Sequence, residues 1–297
     1  QIDAIMSSSP PETSHLIGYI LRKKTNVPWL ADFRDEWTAD PYKQYPTIFH
    51  EKINNFFEKK VVSKCDKIIV AFDQIKNYLV KKYETPPDKI EIITNGYDFE
   101  TQLKKPERPS KKFIITHTGS FEKTDGPEIF IQALNNLITK GLISENSVEL
   151  RLIGAIQFKS LKVNPRIVTY ISYIPYTNLP KSINDSSALL LLVSNKRGAG
   201  SLPAKIFDYM ALNKPIMGIV PPHGKAAELL RKSRTGFISP PDDIEKISEL
   251  IYDLYTKWKN NDLIINPNFS YIKQFSRELL TEKLTKILNN ISEYHDK

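Results

Sequence analysis

The chain of 297 residues is 40% hydrophobic and 26% charged, long enough for two domains with a core each, and this excludes a disordered polypeptide. One cysteine, Cys65, excludes an internal disulfide and a cysteine-based zinc cluster, and no apolar run approaches the length of a membrane span. A net charge of +8 favours anionic partners, but without zinc-finger spacing, an aromatic RNA-binding strand or a basic zipper it points to nucleotide phosphates or an anionic membrane surface before specific nucleic-acid binding.

In chain order, Ile2 to Met6 reads as a short strand ending in SSSPP, and Thr13 or Ser14 caps a helix carrying Leu16, Ile17, Ile20 and Leu21. Val27 to Phe33 is a second strand, Ile48 to Cys65 a helix and Lys67 to Phe72 a third strand. Asp73 caps the next helix, and Lys89 to Thr94 is a fourth strand before Asn95-Gly96. Strict alternation of strand and helix predicts parallel strands joined by crossover helices. A Pro-containing segment with Lys104, Lys105, Arg108, Lys111 and Lys112 reads as a linker.

The alternation restarts with strand Phe113 to Thr118, helix Pro127 to Thr139, and strands Val148 to Ile153 and Ile167 to Ile174. Helix Leu179 to Asn184, strand Ala188 to Val193, a helix from about residue 202, strand Ile216 to Val220, helix Lys225 to Arg231 and a short strand near Gly236 follow. Ile244 to Trp258 and Tyr271 to Ile291 are long amphipathic helices. The expected division is 1–108, 109–266 and a C-terminal segment 267–297 packing back on the first domain. Two doubly wound α/β domains present ligand sites at the carboxyl ends of their strands.

Several strand ends carry chemistry. SLPAKIFDYMALNKPI, from Ser201 to Ile216, reads as a capped helix start followed by a buried strand: Ser201 as cap, Pro203 in the first turn, and Lys205 and Asp208 one turn apart. Such a start favours an anion, with Lys205 adding a cation and Asp208 an acceptor for sugar hydroxyls. Gly119-Ser120-Phe121 follows a strand directly, where glycine lets a ligand approach the backbone, and Lys123 stands just beyond. Together with Arg197 in the loop KRGAG, Lys123 and Lys205 supply enough positive charge to neutralise a diphosphate. In DFRDEW, Asp32 to Trp37, crowded carboxylates around Arg34 leave two roles open for Arg34 and Asp35: an active site, or pairing that only caps the loop. His15, His117 and His223 have no partner at a defensible spacing, and the absence of Gly-x-Ser-x-Gly disfavours a serine hydrolase.

SSSPPETSHLIG, PWLADFRDEWT, IITNGYD, HTGS and LPAKIFDYMALNKPIMGI, in this order and spacing, resemble the retaining GT-B glycosyltransferases of the family 4, or group 1, class. The resemblance implies two Rossmann-like doubly wound domains and a nucleoside-diphosphate sugar as donor, with no cofactor and no metal. It places Gly119, Ser120 and Lys123 near the diphosphate, Lys205 at a helix start beside it, and Asp208 where a glutamate usually holds the ribose. Ile174 falls at the nucleobase contact, and Arg34 and Asp35 at the strand end approaching sugar and acceptor. It implies hexose-type transfer to a glycan or lipid-linked acceptor in cell-surface polysaccharide synthesis, in the cytoplasm at the inner membrane face. Two departures stand out: Gly200 replaces a glutamate eight positions before Asp208, and the first domain is shorter than the family's, so that its start is expected to be missing. The competing expectations are a sugar-nucleotide epimerase and a non-catalytic nucleotide-sugar-binding remnant.

Overall fold

The computed structural model describes residues 2–40, 43–99, 110–121, 127–154, 164–197, 200 and 202–293. The chain forms two compact units, one made of Gln1–Asn95 with Arg277–Lys297 and the other of Gly96–Ser276.

The first unit contains β1 (Ile5–Ser9), α1 (Thr13–Thr25), β2 (Trp29–Phe33), α2 (Ile48–Lys64), β3 (Lys67–Val70), α3 (Asp73–Tyr83) and β4 (Ile90–Ile92). Its parallel sheet runs β1-β2-β3-β4. β2 is buried along its whole length, so its two side-chain faces meet different neighbours. Trp29, Ala31 and Phe33 join Ile68 and Val70 under residues of all three helices, including Leu16, Val61, Ile75 and Leu79. Leu30 and Ile69 join Ile93 on the opposite face.

The expected strand at 2–6 begins instead at Ile5 and runs through the serines. These polar residues suit a strand because neighbouring groups satisfy them: Trp29 Nε1–H donates to Ser7 Oγ at 2.8 Å, and Ser8 Oγ donates to Asp32 Oδ2 at 2.9 Å. Ser7 Oγ also lies 2.8 Å from His15 Nδ1. Burial holds His15 down to about 4, only partly offset by Glu12. α1 lies tight against the indole at Gly18, where an added Cβ would overlap the Trp29 ring.

The second unit contains β5 (Phe113–Thr118), α4 (Pro127–Thr139), β6 (Val148–Ile153), β7 (Val168–Ile171), α5 (Leu179–Ser182), β8 (Ala188–Leu192), α6 (Lys205–Ala211), β9 (Ile216–Ile219), α7 (Lys225–Ser233), β10 (Gly236–Ser239), α8 (Ile244–Lys259) and α9 (Phe269–Lys273). Its strands pair in parallel in the order β10-β9-β8-β5-β6-β7. The chain therefore winds outward from β5 in one direction and returns through β8 in the other, leaving a switch point between those two strands. One face packs on α4 and α8 through Phe130, Leu134, Ile247 and Leu254, and the other on α6, α7 and α9 through Phe207, Met210, Leu230 and Ile272.

The long helix expected from Tyr271 to Ile291 is two helices, α9 and α10 (Arg277–Glu293). The break falls where Ser276 bridges to Tyr97 and the Tyr97 N–H donates to the Phe275 carbonyl at 3.1 Å. Tyr97 and Phe99 pack into the second unit's core, so that unit begins at Gly96 rather than after the basic segment. α10 lies in the first unit, where Ile287 and Ile291 cover the free face of Leu30, Ile69 and Ile93. Gly18→Ala is expected to lower the stability of this unit by about 1–3 kcal/mol through overpacking against Trp29, read as a lower denaturation midpoint at unchanged m-value.

Candidate functional site

At the switch point of the second unit, the chain leaves β5 into Gly119, whose φ is +82°, and its N–H donates to the Ile153 carbonyl at 2.8 Å. The adjacent strand repeats the device: Gly154 has a φ of +71°, and its N–H donates to the Ile171 carbonyl at 2.9 Å. Both turns use the left-handed region that favours glycine. Lys205 reaches over the first turn, its Nζ 3.5 Å from where a Gly119 Cβ would stand.

That reach is held by His117 of β5, which is buried. Its Nδ1 lies 3.0 Å from the Leu190 carbonyl of β8 and its Nε2 3.1 Å from Lys205 Nζ. A carbonyl only accepts, so Nδ1 carries the proton and Nε2 presents its lone pair to the ammonium. Burial, reinforced by the Lys205 charge, pushes His117 down to about 3, so the ring stays neutral. Phe121 stacks on it at 4.1 Å between centroids. The Tyr209 hydroxyl accepts from the Thr118 N–H at 2.9 Å and fixes the end of β5; its own burial raises it to about 12.

One turn beyond Lys205, Asp208 accepts a hydrogen bond from Tyr176 Oη at 2.6 Å, and that oxygen in turn accepts from the Asp98 N–H at 3.3 Å. Ile174 is half-buried against the same core cluster, and Ser120 is exposed just past the Gly119 turn. The structure thus brings Gly119, Ser120 and Lys205 together, with Asp208 along the same helix. Arg197 ends a short 3-10 turn, Asn195–Arg197, and Lys123 and Ser201 lie outside the described residues.

The helix does not begin near 202. It starts at Lys205 after Ala204, with no side-chain cap bond, because Ile206 N–H bonds to the Pro203 carbonyl at 3.0 Å and Phe207 N–H to that of Ala204 at 3.2 Å. These i to i+3 bonds tighten the entry into a 3-10-like turn that Pro203 suits. The predicted stop holds: Asn213 adopts a φ of +51° just past the helix.

In the first unit, the Arg34 guanidinium is committed to the protein. Nη1 donates to the Ile93 carbonyl at 2.8 Å, Nη2 to Asn95 Oδ1 at 2.7 Å, and Asp32 Oδ1 lies 3.4 Å away. Arg34 therefore ties the end of β2 to the segment after β4. Buried Asp32 is raised by desolvation against the opposing pull of Arg34 and Ser8. Asp35 is surface-exposed, yet local desolvation, with Asp40 and Glu12 adding like charge, raises its carboxyl in spite of Arg34.

Sequence reasoning missed His117, Gly154, Tyr176 and Tyr209 as parts of these arrangements. Gly154 carried a legible signal, a glycine directly after an apolar strand as at Gly119. His117 carried none, since Leu190 and Lys205 are 73 and 88 residues away.

Two family descriptions together span nearly the whole chain: Glycosyltransferase Family 4 over residues 1–101 and Glycosyl transferases group 1 over residues 98–269. A D-inositol 3-phosphate glycosyltransferase of Gordonia bronchialis is 23% identical over 105 residues, a stretch covering 33% of this chain and 23% of that protein's length. Among solved structures, sucrose-phosphate synthase of Thermosynechococcus elongatus superposes with a TM-score of 0.67 at 15% identity, covering 97% of this chain and 73% of that one. A UDP-forming α,α-trehalose-phosphate synthase of Burkholderia xenovorans gives 0.68 at 11% identity, covering 97% and 74%. The two Rossmann-like units are those of the GT-B fold.

The two buried histidines set a pH dependence. Unfolded, they take up protons below the usual 6.5, whereas folded they refuse them until about pH 4 for His15 and about pH 3 for His117. Stability is therefore expected to fall as pH drops from about 6.5 toward 4, and this fall, followed by urea midpoints, to be shallower in His117→Phe.

Proposed function

Because the chain belongs to the group 1 glycosyltransferases, we propose that it moves a hexose-type sugar, with retention, from a nucleoside-diphosphate sugar to a glycan or lipid-linked acceptor. We place this reaction in cell-surface polysaccharide synthesis at the inner face of a membrane. The observation that carries the donor reading is the Lys205 ammonium held over the Gly119 turn by a neutral histidine. Leaving-group departure adds one negative charge to an already anionic diphosphate, and a cation oriented beforehand stabilises that charge with little reorganisation.

In this reading the Gly119 and Ser120 backbone lies alongside the diphosphate, with Lys123, Arg197 and Ser201 as further contacts. Asp208, oriented by Tyr176, accepts from the ribose hydroxyls. Ile174 offers an apolar surface to the base. No metal or cofactor is invoked. A uracil nucleotide is the first donor to test, since the Burkholderia relative is described as UDP-forming.

On the acceptor side, Arg34 acts by holding the β2 end, and the exposed Asp35 carboxyl is the group available to an incoming hydroxyl. With its acidity weakened by desolvation, Asp35 is a better hydrogen-bond acceptor than an ordinary surface aspartate. Among the described residues no helix is long and apolar enough to cross a membrane, and the membrane contact in this reading is peripheral.

A thermal-shift screen against nucleoside diphosphates and their sugars tests the donor reading, because a ligand of the native state raises its apparent stability. Lys205→Ala is expected to weaken nucleoside-diphosphate binding roughly ten- to hundredfold, the range for losing a charge-assisted hydrogen bond. Unchanged affinity in that variant refutes the phosphate assignment. Mass and anomeric analysis of the product separates transfer to an acceptor from isomerisation of the sugar, and retention from inversion.

A further inference from the structure

The outward face of α2 has no role in the arrangements above. Ile48 is 72% exposed, Phe49 69% and Phe56 56%, and Ile53 is also exposed. On a helical wheel these four share less than half of the circumference with Lys52, Lys59, Lys60 and Lys64. Neither carboxylate of the helix falls within that arc: Glu58 points inward, where the hydroxyls of Thr38, Tyr78 and Tyr83 bond to it, and Glu51 lies on the other side. Val61 and Val62 anchor the inner face in the core, so the outer face is presented by a firmly seated helix. The Lys60 ammonium lies 5.4 Å from the centre of the Phe56 ring, its stem along the apolar surface. The neighbouring α1 adds exposed Ile17, Ile20 and Leu21 with Lys23 and Lys24.

We propose that this face of α2 docks the protein on an anionic lipid surface, the apolar side chains entering the headgroup boundary and the lysines meeting lipid phosphates. Two features favour a bilayer over a protein partner. Lys52 and Lys59 fall between Ile48 and Phe56 on the wheel, within the apolar face, whereas lysine is depleted at protein interfaces. Long lysine stems also allow the charge to reach the headgroups while the stem stays in apolar surroundings. Most of these exposed apolar residues, Ile48, Ile53, Ile17, Ile20 and Leu21, are aliphatic and offer no ring for a base to stack on, which disfavours nucleic acid. The inference rests on the reading of a transferase working at a membrane face, and it names the surface that makes the contact.

The test is co-sedimentation of the whole protein with phosphatidylcholine vesicles, with or without phosphatidylglycerol. Binding is expected only with phosphatidylglycerol and is weakened by salt. Since each lysine near an anionic leaflet contributes roughly fivefold, replacing Lys52, Lys59, Lys60 and Lys64 by Gln should lower the partition coefficient at least about a hundredfold. Phe49→Ser with Phe56→Ser should lower it separately, and Lys140→Gln with Lys181→Gln, at exposed sites of the second unit, should leave it unchanged. Matching thermal midpoints across variants show that each folds. The proposal is overturned by variants that bind vesicles like the parent, by equal binding to neutral vesicles, by no binding at all, or by a concentration-dependent dimer that the α2 substitutions abolish. Vesicle binding through α2 without any nucleoside-diphosphate thermal shift would refute the donor reading and leave the docking surface standing; the reverse result would refute only the docking surface.

Discussion

The protonation pattern of one buried imidazole organises the second unit. His117 Nδ1–H is committed to the Leu190 carbonyl across the β5–β8 pair, which leaves the Nε2 lone pair facing the Lys205 ammonium. Burial and the lysine's own charge both oppose protonation of the ring, so the acceptor for Lys205 persists down to about pH 3. The same contact joins the two strands that flank the switch point to the first residue of α6. Strand order, glycine turn and cation are thereby held in one arrangement, and the long flexible side chain of Lys205 loses freedom before any ligand arrives.

The first unit spends its polar residues differently. Serines of β1 satisfy an indole, an imidazole and an aspartate, and Arg34 spans from the end of β2 to the segment after β4. An isolated guanidinium or carboxylate would be costly in such a setting, and mutual pairing offsets that cost while fixing the positions of the strand ends. Asp35, next to this tied framework, is raised from its ordinary value by desolvation against the pull of Arg34.

The two faces of α2 show how one helix serves core and surface together. Its inward side carries Glu58 into a ring of hydroxyls and places Val61 and Val62 in the core, while its outward side combines exposed aromatic and aliphatic residues with lysines and no carboxylate. Burying such a face in the core is incompatible with its charges, and leaving it in water carries the cost of exposed apolar area. Contact with an anionic, partly apolar surface resolves both.

The sequence by itself determined the alternation of strands and helices, because apolar period and turn residues are local: β5, α4 and β6 begin and end where the pattern places them. It also singled out Gly119, Lys205 and Asp208, since a glycine after a strand and a Lys–Asp pair one turn apart are visible within a few residues. Tertiary structure decided the rest. Serines that read as the end of a strand became its interior because partners on β2 and α1 satisfy them, and an apparently continuous amphipathic helix broke at Ser276 because Tyr97 bridges to it from a distant part of the chain. His117 acquired a partner only when parallel pairing brought β8 and the start of α6 beside β5. Contacts between residues that far apart in the chain have no local period, so only the folded arrangement reveals which polar groups meet.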